Sequence, residues 1–281
     1  MRWRLAIIAG AIVALCIQPA AQAATEDAAS KGLFVSPLRQ YISLDAGGSH
    51  DGSLTVANNT PNPINVTLSV EQFSVANFTY DFTFLPAKEE WVKVGVTTIQ
   101  LQPGKNSQVP FTIAPPPGSK PGGHYFSIVA STSFDGVSNV RIAALLYVTI
   151  KGQISAATQI VKDDLPFLAI GNPIPYQLQI KGTGNSHAFV FMAGQLHGFT
   201  AKDPTQEAAH IILPDTTRVL SGTIQAPLLP GVYKATFGYA SDSGETKEKT
   251  RYIVYLPLWS VAIPAGLLLL WAAWRARRRN L

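Results

Sequence analysis

Few residues in this chain sit at spacings that support catalysis. There is no Gly-x-Ser-x-Gly, no His-Glu-x-x-His and no phosphate-cradling glycine loop opening a helix. Nucleophile-elbow hydrolysis, zinc proteolysis and nucleotide binding therefore have no motif to stand on. A single cysteine, Cys16, leaves no Cys pair for a disulfide or a metal. His187, His197 and His210 are scattered, and they could share a metal only if the fold converged them. Asp163-Asp164 reads as a solvated turn rather than a calcium loop. No metal or other cofactor is expected. What remains is aromatic and polar: Trp91, His124 and Tyr125 form the candidate ligand face, because sugar rings stack on aromatic faces and bond to polar groups beside them. Trp91 and Tyr125 equally suit half-buried strand positions, so packing competes with ligand contact as the explanation for them.

Two unusual ends bound the segment that must position these residues. Arg2 and Arg4, an apolar run over 5–17 and Ala21-Gln22-Ala23 have the order of a secretory signal, which predicts a signal peptide over 1–23 and a mature chain starting at Ala24. Leu15, just before Cys16, is not the small residue a lipoprotein cleavage site needs. At the other end, 255–274 carries no formal charge, with Tyr255, Trp259, Trp271 and Trp274 near its two ends and Arg275, Arg277, Arg278 and Arg279 directly after it. About 20 such residues at 1.5 Å each cover a hydrocarbon core, and aromatic belts and trailing arginines are the usual flanks. The expectation is one transmembrane helix over 255–274 and a basic cytoplasmic tail over 275–281. The lipid bilayer would be a partner, and the protein would lie in the cell membrane as a single-pass chain with its ectodomain outside. Pro257 fits the first helical turn and Pro264 a kink. Of the 22 Lys and Arg, two lie in the signal and four in the tail, so the ectodomain roughly balances the 17 Asp and Glu. The net charge of +5 belongs to the ends, and nucleic acid is excluded as a partner on charge.

Between the ends the chain reads as all-β. Short runs alternate apolar and polar residues between Gly, Pro, Asn and Asp, as half-buried strands do. In one of them Ile64, Val66, Leu68 and Val70 share a face, with Asn65, Thr67 and Ser69 on the other. Strands are predicted over 53–57, 64–73, 97–101, 109–114, 124–132 and 137–150, then over 176–181, 188–193, 210–213, 219–224, 231–239 and 251–255. Asp135-Gly136 is the strongest hairpin signal. Roughly 230 residues are too many for one immunoglobulin-like sandwich and suit two. The domain reading is a linker over 24–32, a first sandwich over 33–151 and a second over 152–254. Gly47-Gly48 or Pro103-Gly104 in the first half has the grammar of Leu229-Pro230-Gly231 in the second, as related sandwiches would.

Particular segments also carry a family likeness. Phe34-Val35-Ser36-Pro37, Ser53-Leu54-Thr55-Val56-Ala57-Asn58, Leu101-Gln102-Pro103-Gly104-Lys105 and above all Lys120-Pro121-Gly122-Gly123-His124-Tyr125-Phe126 resemble the peptidoglycan-binding domain of the WxL-interacting proteins, cell-surface proteins of Gram-positive bacteria. Ile180-Lys181-Gly182-Thr183-Gly184-Asn185 and Leu229-Pro230-Gly231-Val232-Tyr233-Lys234 resemble that family's second, host-binding domain, without a signature for its ligand contacts. Topology, paired β domains and the missing catalytic set lead to a non-enzymatic, membrane-anchored binding or scaffolding protein, and the resemblance adds cell-wall glycan (peptidoglycan), other surface proteins or both as what it would join to the membrane. The alternative, from another class, is a chaperone or assembly factor that offers a bare strand edge to secreted surface proteins.

Overall fold

The computed structural model describes residues 32–134, 138–198 and 205–279. The signal peptide with its cleavage residues, most of the linker and the Asp135-Gly136 turn lie outside them. The first domain is built from β1 (Leu33–Ser36), β2 (Arg39–Leu44), β3 (His50–Asn58), β4 (Ile64–Val75), β5 (Phe82–Pro86), β6 (Val92–Val94), β7 (Thr98–Leu101), β8 (Asn106–Ile113), β9 (Gly122–Phe134) and β10 (Ser138–Ile150). One sheet runs β1-β3-β8-β6, the other β2-β10-β9-β4-β5 with β7 also on β4. The alternation seen in the sequence sets the facing sides: Val66 and Leu68 are buried while Asn65 and Thr67 are exposed. Val56, Val109, Ile113, Phe126, Leu146 and Val148 close the core between the sheets. Asn58 is buried in it as a polar pin, donating to Asn62 O at 2.8 Å and Leu101 O at 3.0 Å and accepting from Thr60 N at 2.9 Å.

The second domain repeats the plan with β11 (Thr158–Asp164), β12 (Leu168–Ile170), β13 (Ile174–Gly182), β14 (Ala188–His197), β15 (Thr205–Ile212), β16 (Thr217–Ile224), β17 (Gly231–Ser241) and β18 (Thr246–Leu256). Its sheets run β11-β13-β16 and β12-β18-β17-β14-β15 around Leu178, Ile180, Val190, Met192 and Phe237. In each domain the opening strand is split, its first part in the small sheet and its second part parallel to the end of the domain's last strand. On this correspondence β17 matches β9, so Pro230-Gly231 answers Pro121-Gly122 rather than the earlier glycine turns singled out in the sequence.

The domains meet across a third apolar cluster. β-Register lines up Tyr41, Tyr147 and Tyr125 on β2, β10 and β9, and Phe73 opposite Phe84 on β4 and β5, in one row over the outer face of the first domain. The rings touch: Tyr41–Tyr147 at 5.0 Å, Tyr147–Tyr125 at 5.8 Å and Tyr125–Phe73 at 5.7 Å between centroids. His187, Phe189, Ile211 and Leu213 of the second domain pack onto this row.

The C-terminal segment corrects the membrane expectation. Tyr255 is not the start of a span but a core residue of β18, 3% exposed, and the helix α1 (Leu258–Arg279) begins only after Pro257. Up to Trp274 that leaves roughly 17 uncharged residues, about 25 Å of helix against a core of about 30 Å, with Pro264 inside it. Trp259, Trp271 and Trp274 lie exposed on α1, and the guanidinium groups of Arg275 and Arg278 lie over the rings of Trp271 and Trp274. Among the described residues no helix is long and apolar enough to cross a membrane. The predicted single-pass cell-membrane localisation, with the bilayer held through this helix and Arg275, Arg277, Arg278 and Arg279 inside the cell, falls with it.

Candidate functional site

The last strand of each sandwich is only half covered on its outer side. β9 pairs with β10 along all of 138–150, whereas β2 covers β10 only from Leu145 to Ile150. Residues 138–144 of β10 thus have no hydrogen-bonded strand on that side among the described residues, although β1 passes close by in the opposite sheet. β18 is in the same position, with β12 covering only Val254 to Leu256 and 246–253 left open. Open edges recruit other strands unless charge or cover blunts them. The β18 edge is blunted: it reads Thr246-Lys247-Glu248-Lys249-Thr250-Arg251-Tyr252-Ile253, with Lys247 donating to Thr158 O at 2.6 Å and Arg251 paired to Asp163 at 2.6 Å across to β11. The β10 edge is not. It reads Ser138-Asn139-Val140-Arg141-Ile142-Ala143-Ala144, and its one charge, Arg141, turns over the sheet to pair with Glu71 of β4.

This bare edge is apolar on its inner side and, at its Ala143 end, on its outer side, while Asn139 and Arg141 make the rest of the outer face polar. On the inner side Val140 and Ile142 are half-buried against the first core. On the outer side lies a groove of about 550 Å³ lined by Pro37, Leu38, Arg39, Phe82, Phe84, Ala143 and Leu145. It exists because β2 parts from β10 at Leu38, whose carbonyl takes the last bond from Leu145 N at 2.9 Å, before the chain crosses at Pro37 into the opposite sheet. Leu38 is left 53% exposed at the groove's mouth. An extended chain laid along 138–144 would find backbone partners and apolar surface together.

The sequence-predicted ligand residues divide between two faces of the first domain. Trp91 is buried in the first core at 8% exposure, beneath the His124 ring at 4.4 Å. His124 Nδ1 lies 3.6 Å from Glu89, and Nε2 lies 3.2 Å from Lys120 O. Tyr125, the next residue on β9, points the other way into the interdomain row, where burial pushes its phenol well above the ordinary range. His124 and Tyr125 do share one concavity of about 310 Å³, with Gln72, Lys88 and Glu89, where β4 and β9 part beyond the Gln72–Phe126 pair. His187, His197 and His210 stay apart. His187 lies in the domain interface, His197 bonds Thr236 at 2.9 Å, and His210 sits opposite Val190 on β15. Among the described residues no group of His, Cys, Asp and Glu could hold a metal ion. The bare edge, the groove and the aromatic row went unmarked in the sequence, since each depends on which strands become neighbours.

No protein-family model matches the sequence, and no curated protein matches it. Among solved structures the chain is similar to the class 5 fimbriae chaperone CfaA, at 12% identity and a TM-score of 0.43, over 81% of this chain and 100% of that one. It is also similar to a chain of the CsuC-CsuE chaperone–tip adhesion subunit pre-assembly complex of Acinetobacter baumannii, at 13% identity and TM-score 0.40, over 80% and 99%. The E. coli chaperone DraB is 17% identical, with TM-score 0.38, over 79% and 96%.

Proposed function

We propose that this protein is a non-enzymatic chaperone or assembly factor for secreted surface proteins, and that it acts by adding a client strand to 138–144 of β10. The observation that carries the reading is the contrast between two topologically equivalent edges in one chain. The β18 edge carries Lys247, Glu248, Lys249 and Arg251, while the β10 edge is almost uncharged and flanked by a groove. A folded chain that guards one edge and leaves its counterpart bare keeps the second for pairing. Main-chain bonds along the strand would supply affinity, and side chains seated between Leu38, Phe84 and Ala143 would supply selectivity for apolar clients.

A capped peptide of alternating valine and threonine, labelled for fluorescence anisotropy, tests this. Saturable binding is expected, and Ala143→Lys, which places a charge in the groove, should abolish it, with a melt of the variant showing that it remains folded. Equal binding by wild type and Ala143→Lys would sink the reading. The concavity around Gln72, Lys88, Glu89 and His124 favours a second reading, recognition of wall glycan beside β9. Sedimentation with insoluble peptidoglycan decides it: binding lost in His124→Ala supports it, and no co-sedimentation removes it.

A further inference from the structure

The tip of the β4–β5 hairpin leaves the first domain and docks on the second. Phe78 N donates to Thr217 O at 2.6 Å, Thr217 N donates to Asn77 Oδ1 at 2.8 Å, and Phe78 makes a one-residue parallel bridge to Arg218 of β16. Two residues in this tip hold left-handed backbone despite carrying large side chains, Phe78 at φ 71° and Tyr80 at φ 63°. Such conformations persist only where the surroundings over-determine them. Here the hairpin's own bonds, Tyr80 N to Ala76 O at 3.1 Å and Ala76 N to Asp81 O at 2.8 Å, share that task with Thr217 and Arg218 of the other domain.

A chain of touching side chains runs from that docking point to the groove. The Arg218 guanidinium lies 3.8 Å over the Tyr80 ring and is held there by its bond to Ile211 O at 2.9 Å. Tyr80 meets Phe82 edge-on at 5.6 Å, and Phe82 stacks on Phe84 at 6.1 Å. Phe82 and Phe84 are the wall of the groove facing Leu38 and Ala143. A second-domain cation is therefore linked through three consecutive rings to the surface beside the bare edge.

We propose that the β4–β5 hairpin is a latch through which the second domain holds the groove in shape, with Arg218 as its positioning residue. The proposal rests on the strand-addition reading for what the groove receives, but the latch itself is a property of the free protein. With Arg218 and the Asn77 bond in place, the strained tip is pinned and Phe82 and Phe84 stand as a fixed wall. When either is removed, the tip relaxes to ordinary backbone and the wall loosens. Linkage makes the effect reciprocal, so a strand seated in the groove tightens the docking of the two domains.

Hydrogen exchange on the full chain tests the latch without any ligand. Arg218→Ala and Asn77→Ala should each speed exchange of 82–86 by tenfold or more while β9 keeps its protection, and Arg218→Lys, which keeps a cation over Tyr80, should restore much of it. Unchanged exchange of 82–86 in both alanine variants overturns the latch. The valine–threonine peptide then tests the coupling: a five- to tenfold weaker affinity in Arg218→Ala supports it, and wild-type affinity with a loosened β5 overturns it. If the wild type does not bind the peptide, the strand-addition reading fails, and exchange alone decides whether the hairpin is a latch.

Discussion

Replacing Tyr147 by alanine strips one ring from the centre of the interdomain row. The side chain is 1% exposed and touches Tyr41, Phe73, Tyr125 and His187 at centroid distances of 5.0, 5.3, 5.8 and 5.3 Å. Four ring pairs at about 0.5–1.5 kcal/mol each bracket the loss at roughly 2–6 kcal/mol. Truncations of large buried aromatics, at about 3–5 kcal/mol, fall within that range. Three of these partners share the first domain's outer face and only His187 crosses to the second, so about 0.5–1.5 kcal/mol of the loss falls directly on docking, together with the apolar seat that Tyr147 gives Ile211 and Leu213. Its neighbour Leu146 points into the first core at 0% exposure, and Leu146→Ala should cost about 2–5 kcal/mol of first-domain stability instead. In scanning calorimetry the wild type should melt in one transition. Tyr147→Ala should split it into two, and Leu146→Ala should lower it without splitting. If Tyr147→Ala kept a single transition, lowered as in Leu146→Ala, the row would belong to the first domain's own stability and the docking account would fail.

Asn58→Ala leaves the buried Leu101 carbonyl without its donor, and should cost about 1–3 kcal/mol, measured as a lower urea midpoint at unchanged slope. Burial holds the His187 imidazole below its ordinary value, with Asp242 opposing the shift. The undocked state therefore takes up the proton more readily, so domain docking should be fully present above about pH 6.5 and weaken as pH falls below it; His187→Phe should flatten that dependence in a melting series. Lys249→Val with Arg251→Val removes charge from the guarded β18 edge and should produce self-association in sedimentation velocity. An unchanged monomer would show that charge is not what guards it.

Much of the sandwich was legible because alternation survives in the strands that build both cores. The 64–73 pattern became β4 with Val66 and Leu68 inside and Thr67 outside. What escaped was whatever pairing alone decides. β18 begins at Thr246, five residues before the predicted start, because Lys247-Glu248-Lys249 has no apolar period and is held as strand by its ladder to β17. β1 and β2 are four and six residues long and divide their pairing between two sheets, too short for a period to stand out. The membrane expectation failed at one residue class: Tyr255 reads as an interfacial aromatic, yet its ring fills the second core. Trp91 followed the packing alternative, and it lies in the first core. Tyr125 was read with the ligand face, Phe73 and Tyr147 lay on separate predicted strands and Tyr41 on none, and only register makes them a row.

Amide hydrogen exchange along β10 and β18, with and without a saturating capped valine–threonine peptide, tests the central claim most directly. Strand addition predicts new protection within 138–144 and none within 246–253. Protection absent from 138–144, or equal on the two edges, would contradict it.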